Sequence, residues 1–218
     1  MADLKKRNLL PSWRKLSLQG RTGQLKELVR KKRKKLRRGS YLPHDPGSLI
    51  QVDTIVKFIN GLRRYVVTAI DVRSDFAFAY GYPNLSSASA SDFFEKLEKV
   101  SPFKITHVQT DNGLEFEKLF RECLEKKGIT HFFNYPRSPK MNAHVERFNR
   151  TLQEEFANRY LLDLRDDLNL FNQRLIDWLL WYNTGRPHWS LGLISPMQYI
   201  VNKLTASESH MLWTDTLI

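Results

Sequence analysis

The chain has 218 residues, of which 41% are hydrophobic and 12% aromatic, which is sufficient for one packed domain with an appendage. None of its apolar runs approaches the roughly 20 residues that cross a bilayer, so no membrane segment is expected. No apolar stretch follows Lys5, Lys6 and Arg7 as a secretory signal requires, which predicts a cytoplasmic protein. The single cysteine, Cys123, excludes an internal disulfide and a cysteine-based zinc cluster.

The net charge of +12 is concentrated at the N-terminus. Residues 1–41 contain 15 Lys and Arg against two acidic residues, whereas the rest of the chain is almost neutral. Such a dense cationic segment repels itself unless a polyanion lies beside it, and counterion release favours nucleic acid. We therefore predict that it binds DNA, with a merely solvated tail as the alternative. Its densest run is Arg30, Lys31, Lys32, Arg33, Lys34 and Lys35.

Sparse apolar residues predict a basic helix over residues 25–36, with a face too thin to bury much by itself. Prolines and glycines between residues 39 and 47 then indicate a linker. We accordingly expect residues 1–47 to form a basic arm and linker, which could be the remnant of a DNA-binding region. Residues 48–203 are expected to form the folded core, and residues 204–218 a C-terminal tail.

Beta-branched and apolar residues begin at Leu49 and continue to Val56, before the dipeptide Asn60-Gly61. That dipeptide suits a two-residue hairpin turn with positive φ angles, so a first strand pair is predicted here. The patterns of residues 64–71 and 76–81 predict the second and third strands. Three consecutive strands joined in this way form an antiparallel meander.

The rest of the core alternates helices with short strands. Apolar residues at helical spacing predict a helix from Ser87 to Val100, and a buried parallel strand then ends at Thr110. The order of elements predicts an α/β domain with a mixed five-stranded sheet flanked by helices. The later predicted elements are a helix up to Gly128, a strand over residues 129–133, a helix from near Asn142, a helix over residues 168–183 and a final short helix from Ser195-Pro196.

Three acidic residues lie at positions that suit a site. Asp53 is inside the first strand, Asp111 directly follows the strand that ends at Thr110, and Glu146 lies on the polar face of its helix. Each has an ordinary alternative: a salt-bridged strand acid, a turn aspartate, and a solvated helix glutamate. Ligand sites in such sheets lie at the carboxyl ends of parallel strands, which favours Asp111.

Taken together with their flanking residues, the three acids make the sequence similar to the integrase catalytic core (DDE-type) that bacterial insertion-sequence transposases and retroviral integrases share. The resemblance covers about residues 45–203. The matching segments are Gln109-Thr110-Asp111-Asn112-Gly113, residues 136–140, residues 142–151 around Glu146, Trp181-Tyr182-Asn183, Arg186-Pro187-His188, Leu191 and Ser195-Pro196.

The resemblance implies a ribonuclease H-like fold and a transposase or integrase that uses Asp53, Asp111 and Glu146 as catalytic and metal-binding residues. Hard divalent cations such as Mg²⁺ or Mn²⁺ prefer oxygen ligands, and two of them about 3.5–4 Å apart support in-line displacement at phosphorus. DNA is the expected partner, in a bacterial cytoplasm and bound to the nucleoid. Because two DNA ends must be processed together, a homodimer or higher oligomer is also expected.

Basic residues around the three acids are candidates for DNA contacts. Arg150 lies one turn after Glu146, and Arg137 and Lys140 lie in the preceding loop, so all three could hold phosphates, with a solvated basic surface as the alternative. His144 should point away from Glu146, and His188 is expected to have a packing role in the family motif near the end of the core, which runs from Trp181 to Pro196. Two other functions remain open: a truncated or domesticated DNA-binding protein, and a metal-dependent nuclease of the same fold.

Overall fold

A computed structural model of the chain describes residues 34–37, 41, 43–134 and 139–214. Its centre is a five-stranded sheet with the strand order β3-β2-β1-β4-β5. β1 pairs antiparallel with β2 and β2 antiparallel with β3, whereas β4 pairs parallel with β1 and β5 parallel with β4. The predicted mixed sheet is therefore confirmed. The strands are β1 (Ile50–Ile59), β2 (Leu62–Asp71), β3 (Ala77–Tyr82), β4 (His107–Thr110) and β5 (Thr130–Phe133).

Six α-helices accompany this sheet in the described part of the chain. Two of them follow the first three strands, and the other four come after β5. None of the helices that the structure describes is long and apolar enough to cross a membrane. The helices are α1 (Ser87–Val100), α2 (Lys118–Lys126), α3 (Ala143–Leu152), α4 (Leu161–Asp166), α5 (Leu168–Thr184) and α6 (Pro196–Thr214).

The β1–β2 hairpin sets the register of the whole sheet. Asn60 and Gly61 both have positive φ, 48° and 82°, as a two-residue turn of this hand requires. The turn places Asp53 opposite Thr68 in the ladder. Because strand side chains alternate between faces, the two side chains project from the same face of the sheet.

The two faces of the sheet carry different helices. On one face, Gln51 of β1 contacts the backbone of Val145 in α3. On the other, Phe78 of β3 packs against Phe93 of α1, with ring centroids 5.4 Å apart. Side chains from both layers are buried in one hydrophobic core. The face under α3 carries polar residues of β1, and this is where the candidate site lies.

Side chains and a neighbouring segment cover both edges of the sheet. At the β3 edge, the Asn172 amide of α5 accepts a hydrogen bond from the N–H of Gly81 and donates one to its carbonyl, and Asn183 does the same with Ala77. At the β5 edge, the N–H of Phe133 donates to the Lys35 carbonyl at 2.9 Å. Exposed strand edges otherwise attract other strands.

Three details differ from the sequence-based expectation. Leu36 forms a parallel bridge with Phe133, so the predicted basic helix over residues 25–36 is wrong at its C-terminal end, where backbone pairing is available; residues 25–33 lie outside the described residues. The short helix α4 was not predicted, because only Leu164 in it is fully buried. The final helix is not short, since α6 continues to Thr214.

Candidate active site

Asp53 lies in the middle of β1, on the sheet face that α3 covers. Its Oδ1 accepts a hydrogen bond from the N–H of Thr54 at 2.8 Å, and its Oδ2 accepts one from Asn149 Nδ2 at 2.9 Å. Burial and, to a smaller extent, the charges of Asp111 and Glu146 together raise the pKa of the Asp53 carboxyl to about 6, although the Thr54 N–H opposes them. The ionised form is thus destabilised here, and a bound cation would stabilise it.

Asn149 of α3 connects Asp53 to the sheet. Its Oδ1 accepts a hydrogen bond from Thr68 Oγ1 at 2.7 Å, while its Nδ2 donates to Asp53. Both amide atoms are therefore in use, and the amide orientation is fixed by its neighbours on two strands. This arrangement fixes the Asp53 carboxylate, as outer partners do for ligands at metal sites.

Asn149→Leu is expected to lower any metal-dependent activity by about 10- to 100-fold, since partners of metal ligands contribute effects of this size. The change keeps the side-chain volume but removes both hydrogen bonds. Both the activity and the melting temperature of the variant should be measured. Asn169→Leu is the matched control, because Asn169 is exposed on α5. Full activity in Asn149→Leu would contradict the positioning role.

Asp111 is the first residue after β4, at the carboxyl end of the strand that runs parallel to β1. The side chain is exposed, and its Oδ1 accepts a hydrogen bond from the N–H of Gly113 at 2.9 Å. The next residue, Asn112, accepts a hydrogen bond from Lys34 Nζ at 3.2 Å. The last part of the basic run therefore lies beside the loop that carries Asp111.

Glu146 is exposed in the first turn of α3, and two buried glutamines fix the start of that helix. The Nε2 atoms of Gln51 and Gln109 both donate to the Met141 carbonyl, at 2.7 Å each. Gln51 Oε1 also accepts a hydrogen bond from the N–H of Val145 at 3.2 Å. Side chains of β1, which contains Asp53, and of β4, which Asp111 follows, thus fix the start of the helix that carries Glu146.

A fourth carboxylate, Glu115, was not predicted. Burial raises the pKa of Glu115, and so does the charge of Asp111, whereas the backbone N–H of Glu115 itself opposes this rise. Its charge in turn contributes to the raised pKa of Asp53. The only feature of the sequence that could have indicated Glu115 as a site residue is its position four residues after Asp111. The apolar residues around it were interpreted as part of a helix.

The charges of Asp111, Glu146 and Glu115 all act on Asp53, but the four carboxylates do not form a closed cage. Within the residues that the structure describes, no group of three or more His, Cys, Asp or Glu side chains has an arrangement that could hold a metal ion. Asp111 and Glu146 are both exposed. Closing a ligand set around a cation would therefore require side-chain rotation.

Some of the predicted DNA-binding residues lie in the described part of the chain and the others do not. Arg150 is exposed on α3, and Lys34 and Lys35 are exposed beside β5. Lys140 lies in the 3-10 turn Pro139–Asn142 that precedes α3. Outside the described residues lie Arg30, Lys31, Lys32, Arg33 and Arg137.

The two histidines that were considered lie together, away from Asp53. His144 Nδ1 is 3.8 Å from Asp75 Oδ1, and His188 Nδ1 is 3.8 Å from Asp75 Oδ2. His188 is buried and packs edge-on against the Tyr182 ring, with centroids 4.8 Å apart. Both positions agree with the expectation that neither side chain belongs to the acidic site.

Three antiparallel strands followed by two parallel ones, with helices on both faces, Asp53 on the central strand and Asp111 directly after the adjacent one, define a ribonuclease H-like domain. A family model described as Integrase core domain matches residues 43–139, and a second with the same description matches residues 127–196. The chain belongs to the integrase core domain family. The resemblance drawn from the sequence is thereby confirmed.

Curated relatives carry related names. The chain is 31% identical over 163 residues to a protein of Spiroplasma virus SpV1-C74 described as an integrase, ORF3, a match that covers 66% of this chain and 44% of the relative. It is 35% identical over 99 residues to an uncharacterised protein of insertion element IS476 from Xanthomonas euvesicatoria, which covers 45% of this chain and 28% of the relative. The chain thus spans less than half the length of these relatives.

Solved structures share the fold at low sequence identity. The HTLV-2 integrase catalytic core domain in complex with magnesium superposes with a TM-score of 0.57 at 20% identity, covering 73% of this chain and 99% of that one. The BIV integrase core gives 0.56 at 20% identity, covering 74% and 99%. A chain of the simian T-cell lymphotropic virus intasome complex with PP2A subunit B56 gamma gives 0.60 at 19% identity, covering 78% and 58%.

Proposed function

We propose that the chain is the catalytic core of a DNA transposase or integrase that hydrolyses phosphodiester bonds and joins DNA strands. The observation that carries this proposal is the Asp53 carboxylate, whose pKa is raised to about 6 beside Asp111 and Glu146, in a domain of the integrase core family. Strongly perturbed carboxylates that lie together mark functional sites more often than they serve stability. A DNA substrate implies that the protein works in the bacterial cytoplasm, on the nucleoid.

The chemistry of the donor set fits Mg²⁺ or Mn²⁺. Asp53, Asp111 and Glu146 offer only oxygen ligands, and a divalent cation would offset the burial and the repulsion that raise the pKa of Asp53. Two such ions would supply Lewis acidity to the attacking and leaving oxygens of a phosphodiester. In this proposal the residues hold the ions, Asn149 fixes Asp53, and the HTLV-2 core structure with magnesium supports the choice of metal.

Metal binding should depend on pH in a defined direction. Only the carboxylate form is a ligand, so below the pKa of Asp53, about 6, cation binding must displace a proton. We expect the apparent Mn²⁺ affinity to fall by about tenfold per pH unit below about pH 6 and to be flat above about pH 7. Calorimetry of Mn²⁺ binding across this range measures it, and an affinity that is constant down to about pH 5 would contradict it.

DNA would be held by the exposed cations around the acids. Arg150, one turn after Glu146, and the side chains of Lys34 and Lys35 beside the Asp111 loop are proposed to contact phosphates. Lys140, Arg137 and the rest of the basic run, Arg30 to Arg33, are proposed for the same role. Because two ends are joined in one reaction, we also propose a homodimer or higher oligomer, and a strict monomer on paired-end DNA in sedimentation would count against it.

The decisive experiment is a gel assay of the purified protein with Mn²⁺ or Mg²⁺. The substrate is a labelled DNA duplex that carries the end sequences of the mobile DNA element that encodes the protein. Wild-type protein should cleave the ends and join them to target DNA, whereas Glu146→Gln should do neither. Glu154→Gln is the matched control, because this exposed glutamate lies in the turn directly after α3.

Each alternative has its own outcome in this assay. Cleavage without joining would favour a metal-dependent nuclease of the same fold. DNA binding with neither product would favour a truncated or domesticated DNA-binding protein. Products that persist in Glu146→Gln would refute the assignment of Glu146.

A further inference from the structure

A cavity of about 370 Å³ lies beside the candidate active site, between α3 and the loop that joins α5 to α6. Its lining includes His144 and Arg147 of α3 and Arg186, His188 and Trp189 of the loop. The volume is large enough for a small ligand, since binding pockets begin at about 300 Å³. None of the three predicted catalytic acids lines this cavity.

The loop that forms the outer wall of the cavity is firmly fixed. Ser190 Oγ donates a hydrogen bond to the buried Asp75 carboxylate. The N–H groups of Leu191 and Leu193 donate to the His188 carbonyl at 3.1 and 2.9 Å, and the N–H of His188 donates to Ile194. These bonds surround Trp189, so its backbone is held in place on both sides.

Trp189 is 87% exposed, although tryptophan has the largest side chain and one of the most apolar. Tryptophan is usually well buried, and leaving its ring in water sacrifices much of the free energy that burial would provide. The fixed loop thus displays a flat aromatic surface to solvent. A side chain of this kind on a rigid turn is suited to stacking against a planar ligand.

The charges at the cavity select the kind of ligand. Its two acidic neighbours are engaged, because Asp75 interacts with Ser190, His144 and His188, and Glu155 forms an ion pair with Arg186 at 2.6 Å. Arg147 is exposed and has no hydrogen bond or ion pair with any described residue. Its guanidinium is therefore available for an anion, and arginine is well shaped for phosphate.

Arg147, which lines the cavity, directly follows the candidate catalytic residue Glu146 in the sequence. Adjacent residues on a helix project about 100° apart, which places Glu146 and Arg147 on neighbouring faces of α3. His144 and Thr151, which also line the cavity, share the face of Arg147. A DNA strand that reaches Glu146 therefore passes within reach of the cavity.

We propose that this cavity binds one unpaired nucleotide of the DNA substrate, with its base stacked on Trp189 and its phosphate bound by Arg147. The inference rests on the proposed function and adds a strand-specific site to it. An unpaired nucleotide is required because bases inside a duplex are stacked on each other and offer no free face to an indole. Base–aromatic stacking of this type tolerates any base, so the site selects single-stranded DNA and not a sequence.

Equilibrium binding without divalent metal tests the site separately from catalysis. Two fluorescent duplexes of the same sequence are compared by anisotropy, one blunt and one with a short single-stranded extension. Trp189→Ala should weaken binding of the extended duplex by about 5- to 100-fold and leave the blunt duplex unchanged, and Trp189→Phe should restore part of the affinity. Arg147→Gln should reduce the salt dependence of log Kd for the extended duplex by about 0.7.

Trp181→Ala is the matched control, because Trp181 is also an exposed tryptophan, at 48%, but does not line the cavity. Equal loss for both duplexes in Trp189→Ala, or the same loss in Trp181→Ala, would refute the nucleotide site. If metal-dependent cleavage and joining persist in such a case, the proposed function stands without it. Wild-type protein that binds neither duplex would overturn both.

Discussion

Asp53→Asn is expected to reduce metal-dependent cleavage and joining by on the order of 10³-fold while raising the melting temperature. Asparagine preserves the shape of the side chain and can still accept the hydrogen bond from Thr54, so the fold should persist, although its amide nitrogen replaces the oxygen that accepts from Asn149. It removes the negative charge that would bind the cation. Loss of activity together with a gain in stability is characteristic of a residue retained for function.

The stability gain follows from the raised pKa of Asp53, about 6 in the folded protein against an ordinary value of 3.8. A carboxyl with a raised folded pKa favours the folded state at low pH, and this contribution is lost as the pH rises from about 4 through about 6. Above that range the buried charge opposes folding by about 1–3 kcal/mol, which Asn does not. The expected increase in Tm is on the order of 5 °C without metal.

Thermal unfolding with and without Mn²⁺ measures this prediction, together with the gel assay. Mn²⁺ should raise the Tm of the wild-type protein but not that of Asp53→Asn, since a ligand stabilises only a state that binds it. Asp177→Asn, at an exposed position of α5, should change neither activity nor Tm. An Asp53→Asn protein that is less stable than wild type at neutral pH would contradict the prediction, and would show that the hydrogen bond from Asn149 stabilises the fold by more than the buried charge destabilises it.

Phe148→Ala should produce the largest loss of stability, about 3–5 kcal/mol, because it deletes a fully buried aromatic ring. Phe148 is 1% exposed and packs edge-on against Tyr182 of α5, with ring centroids 5.3 Å apart. It lies on α3 two residues after the proposed catalytic residue Glu146, so the void left by the ring would also loosen the contact that holds this helix against α5. Activity should therefore fall as well as stability.

Urea unfolding gives the free energy for Phe148→Ala, with Leu180→Ala as the control. Leu180 is 63% exposed on α5, and truncation there should change the free energy of unfolding by less than about 0.5 kcal/mol. A loss below about 1 kcal/mol in Phe148→Ala would mean that α3 is not anchored through this ring.

The sheet could be predicted from the sequence because its signals are local. The Asn60-Gly61 turn and the alternation along β1 fix the hairpin, and they also put Gln51 and Asp53 on one face. The placement of Asp111 at a strand end needs only the parallel pairing of β4. These features depend on neighbours close in sequence or on a general rule of sheet topology.

The hydrogen bonds that position the site residues could not be predicted in this way, because they join residues far apart in the chain. The hydrogen bonds from Gln51 and Gln109 to Met141 span 90 and 32 positions, and that from Asn149 to Asp53 spans 96. No pattern in a single sequence identifies which buried amide will meet which carbonyl. The pairing of Leu36 with Phe133 has the same character, since it depends on a free strand edge created elsewhere.

The covered sheet edges restrict how several copies of this protein could assemble. Asn172 and Asn183 occupy the backbone groups at the β3 edge, and the segment around Leu36 occupies the end of β5. Along the described strands, a second copy therefore finds no continuous row of free backbone groups at either edge onto which it could add a strand. Among the described residues, helix surfaces remain for assembly on DNA, and on α5 Ile176 and Leu180 leave apolar side chains in solvent. The architecture of the sheet would then stay the same in every subunit.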